Sequence, residues 1–224
     1  LRPDHVETLN NIGNTLKDMG RLAAAADAYA AAIAVQPSLA ALHYNLGNTL
    51  RDLGRLEAAL AAQDEAIRLK PDFAQAHANR ANVLRDMGRL DEALAACDTA
   101  LGLWPDAAEI HNNRGGTLKD MGRLEEAVAA FQAAIRCRPD YAEACNNLGT
   151  ALYEAGNPGD GLACCARSLA LKDTPQARSS FVECLIALQP PLVPSEHVEA
   201  ASRALAENWS RPGKLAPAII GTIR

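Results

Sequence analysis

Residues 112–127 read NNRGGTLKDMGRLEEA, and residues 10–25 read NNIGNTLKDMGRLAAA. The two stretches share Asn-Asn and Thr-Leu-Lys-Asp-Met-Gly-Arg-Leu. Working outward from them, the same sentence recurs with a fixed step. Pro3, Pro37, Pro71, Pro105 and Pro139 lie 34 residues apart, and Gly20, Gly54, Gly88, Gly122 and Gly156 keep the same step. So do Ala25, Ala59, Ala93 and Ala127, followed by Gly161, and Ala32, Ala66, Ala100 and Ala134, followed by Ser168. A period of this length marks a stacked repeat array.

Each period divides into two helices. The first ends at the Gly of a DMGRL-like segment, where a left-handed residue stops a helix. The second is rich in Ala and Leu and ends before Pro, which cannot continue it. Small residues at fixed positions let the helices of a hairpin approach closely. A single hairpin cannot bury its apolar face, whereas stacked hairpins can. The spacing predicts first helices near 6–19, 40–53, 74–87, 108–121 and 142–155.

The pattern resembles the tetratricopeptide repeat. Counting Val6 as position 1, the signature positions fall on Ile12, Gly13, Leu16, Gly20, Ala25, Tyr29, Ala32 and Pro37. The second unit matches through Leu46, Gly47, Leu50, Gly54, Ala59, Ala66 and Pro71. The resemblance implies an all-α fold, an α–α superhelix of stacked hairpins with irregular C-terminal capping helices. Five repeats are expected at 6–39, 40–73, 74–107, 108–141 and 142–175, within a segment 1–175. Residues 176–224 would form capping helices and a linker to a further domain. There are departures. Arg80 and Arg114 replace an apolar residue of the first helix, and Gln63 and Cys97 stand where Tyr29 and Phe131 stand, which predicts looser packing there. Leu1-Arg2-Pro3 matches the end of a repeat and suggests a preceding one. Thr174-Pro175 reads as a helix start, with PQARSSFVECLIAL, SEHVEAASRALAENW and RPGKLAPAIIGTIR as further helices.

The bulk composition removes several functions. The 224 residues carry a net charge of −5, with no clustered basic surface of the kind nucleic acid requires. No run approaches the length and hydropathy of a membrane helix. The six cysteines contain no C-x-x-C pair, so they read as free thiols of a reducing cytoplasm, with neither zinc nor disulfides. His43, His77 and His111 recur in register, but helix-packing distances of about 8–10 Å keep them from sharing a metal, and they read as packing residues. No catalytic motif or cofactor fingerprint appears.

What remains is a pattern of amides. Position 6 of the repeats is Asn11, Asn45, Asn79, Asn113 and Asn147, and position 9 begins Asn14, Asn48, Asn82 before changing to Gly116 and Thr150. Asparagine is a poor residue inside a helix, so propensity does not explain these rows. An amide donates and accepts at once, which suits a peptide backbone whatever its side chains. The rows resemble the asparagine ladder of the repeat arm of O-linked N-acetylglucosamine transferases, which implies backbone-directed binding of protein substrates. The other reading is that the amides bond between neighbouring repeats and hold the array in register. Positions 12 and 13 add a stripe of charge: Lys17 and Asp18, Arg51 and Asp52, Arg85 and Asp86, Lys119 and Asp120. It would either select charged ligands or make weak inter-repeat pairs. Positions 2 and 5 carry no basic residue, which argues against a clamp for a C-terminal carboxylate.

The sequence therefore supports a non-enzymatic module that holds a protein or an extended peptide. The alternatives are a substrate-recruiting arm of a larger glycosyltransferase or methyltransferase, and self-association through repeat ends.

Overall fold

A computed structural model describes residues 3–188 and, beyond them, Ala200, Ala201, Arg203, Ala204, Glu207 and Trp209. The described residues form eleven helices and no strand. In chain order they are α1 (Pro3–Asp18), α2 (Leu22–Val35), α3 (Ala40–Asp52), α4 (Leu56–Leu69), α5 (Ala74–Asp86), α6 (Leu90–Leu103), α7 (Ala108–Asp120), α8 (Leu124–Cys137), α9 (Ala142–Glu154), α10 (Pro158–Leu171) and α11 (Pro175–Ala187). The first helices stand where the spacing predicts them, within a residue or two, except that α1 opens earlier. Pro3 has no N–H to leave unpaired and so begins that helix.

The turn inside each hairpin is the same. Gly54 adopts φ 74°, and the bonds Gly54 N–H to Arg51 O and Arg55 N–H to Leu50 O close the end of α3. This is the Schellman arrangement, which satisfies carbonyls that the helix leaves without partners.

Two units divide the chain, Leu1–Asp106 and Ala107–Arg224. In the first, α1 to α6 form three hairpins. Ala25, Ala32, Ala59, Ala66, Ala93 and Ala100 are completely buried, so the paired helices meet over methyl groups. Larger side chains fill the spaces between hairpins: Val6 and Leu42 around Ala32, and Leu50 and Val83 around Ala59. In the second unit, α7 to α10 form two hairpins around Leu118, Phe131 and Leu162.

Helix α11 packs on α10, as a first helix of a sixth repeat would. Thr174 caps it, its hydroxyl accepting from Ala177 N–H at 3.1 Å. Phe181 lies wholly buried among Leu162, Cys165 and Leu185 and meets Trp209 edge-on at 6.3 Å. Ala200, Ala201, Arg203 and Ala204 are helical, and Ala201 and Ala204 are buried in the same cluster. The helix expected in RPGKLAPAIIGTIR lies outside the described residues. So does the PPLVP break before Ala200.

Close approach explains four glycines at position 8. A Cβ on Gly13 would sit 2.5 Å from the Tyr29 ring, on Gly47 2.5 Å from the Gln63 amide, on Gly115 2.7 Å from the Phe131 ring, and on Gly149 2.4 Å from Cys165 Sγ. The third repeat has Ala81 here, facing the small Cys97 within one cluster. Gln63 does not loosen its hairpin, contrary to expectation. It is fully buried, and its amide N–H groups reach Asn48 Oδ1 at 2.9 Å and Tyr44 O at 3.3 Å. Arg80 is likewise engaged, pairing with Asp64 at 2.6 Å.

Candidate functional site

Within each unit the first helices stand side by side: α3 against α5, α7 against α9, and α9 against α11. Positions 5, 6 and 9 of successive helices are thereby brought to the junctions. Asn45 donates from Nδ2 to Asn10 Oδ1 at 3.0 Å. Asn147 does the same to Asn112 Oδ1, also at 3.0 Å. Asn79 cannot copy them, because position 5 of the repeat before it is Tyr44. It donates instead to Asn48 Oδ1 at 2.6 Å. Each of these amides reaches backward, from one first helix to the preceding one.

Position 9 has a second duty. Asn14 Oδ1 accepts from the Tyr29 hydroxyl at 2.7 Å, and Asn48 Oδ1 accepts from Gln63 at 2.9 Å. These bonds join the two helices of one hairpin. Where position 24 is Phe131 and offers no donor, position 9 is Gly116. Asn11 is exposed, while Asn82 and Asn113 are half-buried. A carboxamide has two N–H groups and two acceptor lone pairs. The bonds of Asn45, Asn79 and Asn147 use one N–H each, so every one of them retains hydrogen-bonding capacity.

The charged positions interlock in the same register. Lys17 pairs with Asp52 at 3.3 Å, Arg51 with Asp86 at 2.5 Å, and Lys119 with Glu154 at 2.8 Å. Position 12 of one repeat thus meets position 13 of the next. Arg85 and Asp120 are engaged as well, and Asp18 is exposed beside Tyr29, whose phenol is held above its ordinary range by burial and then by the Asp18 charge. These partly exposed pairs are worth about 0–1 kcal/mol each.

The histidines differ from the expectation of plain packing. The ring nitrogen Nε2 of His43 lies 2.8 Å from Pro37 O, and that of His77 lies 2.9 Å from Pro71 O. As the carbonyls only accept, the rings donate, and each ties a first helix to the turn before it. All six cysteines are free. Burial pushes the Cys164 thiol up to about 11. Among the described residues no helix is long and apolar enough to cross a membrane, and no cluster of ligating side chains could hold a metal.

Two sets of functional partners escaped the sequence reading. One is the position 5 acceptors, Asn10 and Asn112, whose recurrence was visible. The other is the pairing of positions 9 and 24, visible as Asn14 with Tyr29, Asn48 with Gln63, and Gly116 with Phe131.

The family model of the tetratricopeptide repeat matches residues 10–74, 78–142 and 115–178. The chain belongs to the tetratricopeptide repeat family. Solved tetratricopeptide proteins share its fold. The thermophilic protein TTC0263 of Thermus thermophilus is 21% identical, with a TM-score of 0.71 over 81% of this chain and 99% of that one. PilW, a type IV pilus biogenesis factor, is 17% identical, with a TM-score of 0.80 over 94% of this chain and 96% of that one. YrrB, described as a tetratricopeptide protein with an unusual peptide-binding site, is 22% identical, with a TM-score of 0.58 over 77% of this chain and 89% of that one. No curated protein sequence matches the chain. It is built as a tetratricopeptide scaffold, a class that serves protein–protein interaction.

Proposed function

We propose that the first-helix faces hold an extended peptide or a segment of a partner protein, with asparagine amides bonding its backbone. The observation that carries this is the state of the amides. Asn11 is exposed, Asn82 and Asn113 are half-buried, and Asn45, Asn79 and Asn147 have committed one N–H each to a neighbouring repeat. Those inter-repeat bonds orient the side chains before a ligand arrives, and preorganisation lowers the entropy lost on binding. Asn14 and Asn48 contribute less, because their oxygens already serve Tyr29 and Gln63. The peptide-binding site named for YrrB supports the reading by likeness of fold. The charge stripe would tune specificity only through what its internal pairs leave unsatisfied.

The asparagine rows also suit the recruiting arm of a transferase, where the same contacts would present a protein substrate. The sequence of the complete gene distinguishes that arm from a free-standing module.

The test compares two triple variants against a ligand selected from a peptide array. Asn11, Asn82 and Asn113→Ala should weaken binding by about 0.5–1.5 kcal/mol per lost bond, with the melting temperature nearly unchanged. Asn45, Asn79 and Asn147→Ala should lower both. If the first variant binds as the wild type does, the backbone-binding role is wrong.

A further inference from the structure

Two sulfurs face each other where α11 meets α10. Cys165 stands at position 24 of the fifth repeat, on α10, and Cys184 at what would be position 9 of a sixth, on α11. Their Sγ atoms lie 3.9 Å apart, within reach of one another's S–H. Both thiols are free, and both are buried in the cluster that holds Leu162, Phe181 and Leu185.

The backbone beside them is pared down. Position 20 is Ala in the first four repeats and Gly161 in the fifth. A Cβ on Gly161 would stand 3.4 Å from Cys184 Sγ and 2.8 Å from Gly149 O, and a Cβ on Gly149 would stand 2.4 Å from Cys165 Sγ. Bare Cα atoms thus flank the sulfurs on α9 and α10. A disulfide holds its sulfurs about 2.05 Å apart, so closing this pair takes a movement of roughly 2 Å. Rotation about the Cα–Cβ bonds and a small shift of α11, which packs on α9 and α10, supply it.

We propose that Cys165 and Cys184 are a redox pair, which a hydroperoxide converts into a disulfide that staples α11 to α10. The chemistry runs in two steps. One sulfur, as thiolate, takes an oxygen from hydrogen peroxide; the O–O bond breaks, and the hydroxide released picks up a proton to leave as water. The sulfenic acid so formed condenses with the other thiol: the S–S bond forms, the S–O bond breaks, and the thiol proton departs with the hydroxyl as a second water. Two thiols lose two electrons and two protons, and one peroxide becomes two waters. Buried thiols meet peroxide when the end helix opens locally, an event that costs less than global unfolding. A sulfenic acid adds one oxygen atom, so α11 closes again with it in place and brings the second thiol to it. The bond joins residues 19 apart in sequence and holds α11 against reopening.

The test treats the full native chain with a small excess of hydrogen peroxide, blocks the remaining thiols after denaturation, and locates disulfides by mass spectrometry of unreduced digests. A Cys165–Cys184 bond should appear. It should survive Cys164→Ala and be lost in Cys165→Ala and in Cys184→Ala. The oxidised wild-type chain should melt about 5 °C higher than the reduced one, and dithiothreitol should reverse the gain, a readout that needs no variant to fold. Four results would overturn the proposal. They are a wild-type chain whose Cys165 and Cys184 remain free while Cys137 is oxidised, a bond that instead joins Cys145 to Cys164, a bond that forms only in urea, and an oxidised chain that melts no later than the reduced one.

Discussion

Gln63 reaches from α4 to Asn48 on α3, Nε2 to Oδ1 at 2.9 Å, from a position with no solvent exposure. The oxygen of the same carboxamide, Oε1, has no partner. Asn48→Ala should therefore destabilise the protein by about 1–3 kcal/mol in urea unfolding, because the buried Gln63 amide keeps only its longer bond to Tyr44 O and Asn79 loses its acceptor. Gln63→Tyr should be neutral or stabilising. It recreates the bond that Tyr29 makes to Asn14 and removes the orphaned oxygen, and Gly47 leaves the same room that Gly13 gives Tyr29.

Gly115 and Phe131 test how tightly a hairpin is closed. A Cβ at Gly115 meets the Phe131 ring at 2.7 Å, so Gly115→Ala should cost about 1–3 kcal/mol of overpacking. The third repeat shows the compensation, with Ala81 opposite Cys97. Adding Phe131→Cys to Gly115→Ala should lose less stability than the two single changes sum to, as a double-mutant cycle would reveal.

The inter-repeat ion pairs should matter little to stability. Arg51 and Asp86 each have 37% of their side chain exposed. Arg51→Met should shift unfolding by less than about 1 kcal/mol. That small effect should vanish at molar salt, where the screening length is about 3 Å. A loss of several kcal/mol that persists in salt would mean the stripe sets the helix geometry.

Thiol chemistry should be selective. Cys137 is exposed, whereas Cys97, Cys145, Cys165 and Cys184 are buried. Brief iodoacetamide treatment of the native protein should yield one adduct, on Cys137, by intact and peptide mass spectrometry. Burial raises Cys164 from 9.0 to about 11. A raised folded-state value means that its contribution to stability is complete below about pH 9 and declines as pH rises toward 11. Cys164→Ala should flatten unfolding free energy across that window.

The order of the helices was legible because local chemistry punctuates it. Gly54 needs φ 74°, which a side chain resists, and Pro37 cannot extend α2, so both announce themselves without tertiary context. Ala59 and Ala66 mark the contact stripe for the same reason. The asparagines were legible as an anomaly but not as a network. Whether Asn79 bonds Asn48 or a residue at position 5 depends on what Tyr44 denies it one helix away. Gln63 looked like a weakness because its type is polar, and only the distance to Asn48 shows it satisfied on one side.

The backward reach of the amides gives the chain a direction, like a row of hooks each latched to the eye behind it. Asn45 and Asn79 occupy the same position in successive repeats, and Asn10 offers its eye to whichever comes next. Excising residues 40–73 would bring Asn79 to the place where Asn45 now stands, and duplicating them would add one more hook and one more eye. Length in this molecule is thus open to revision in whole periods, by recombination between near-identical stretches of gene, with no contact needing to be invented.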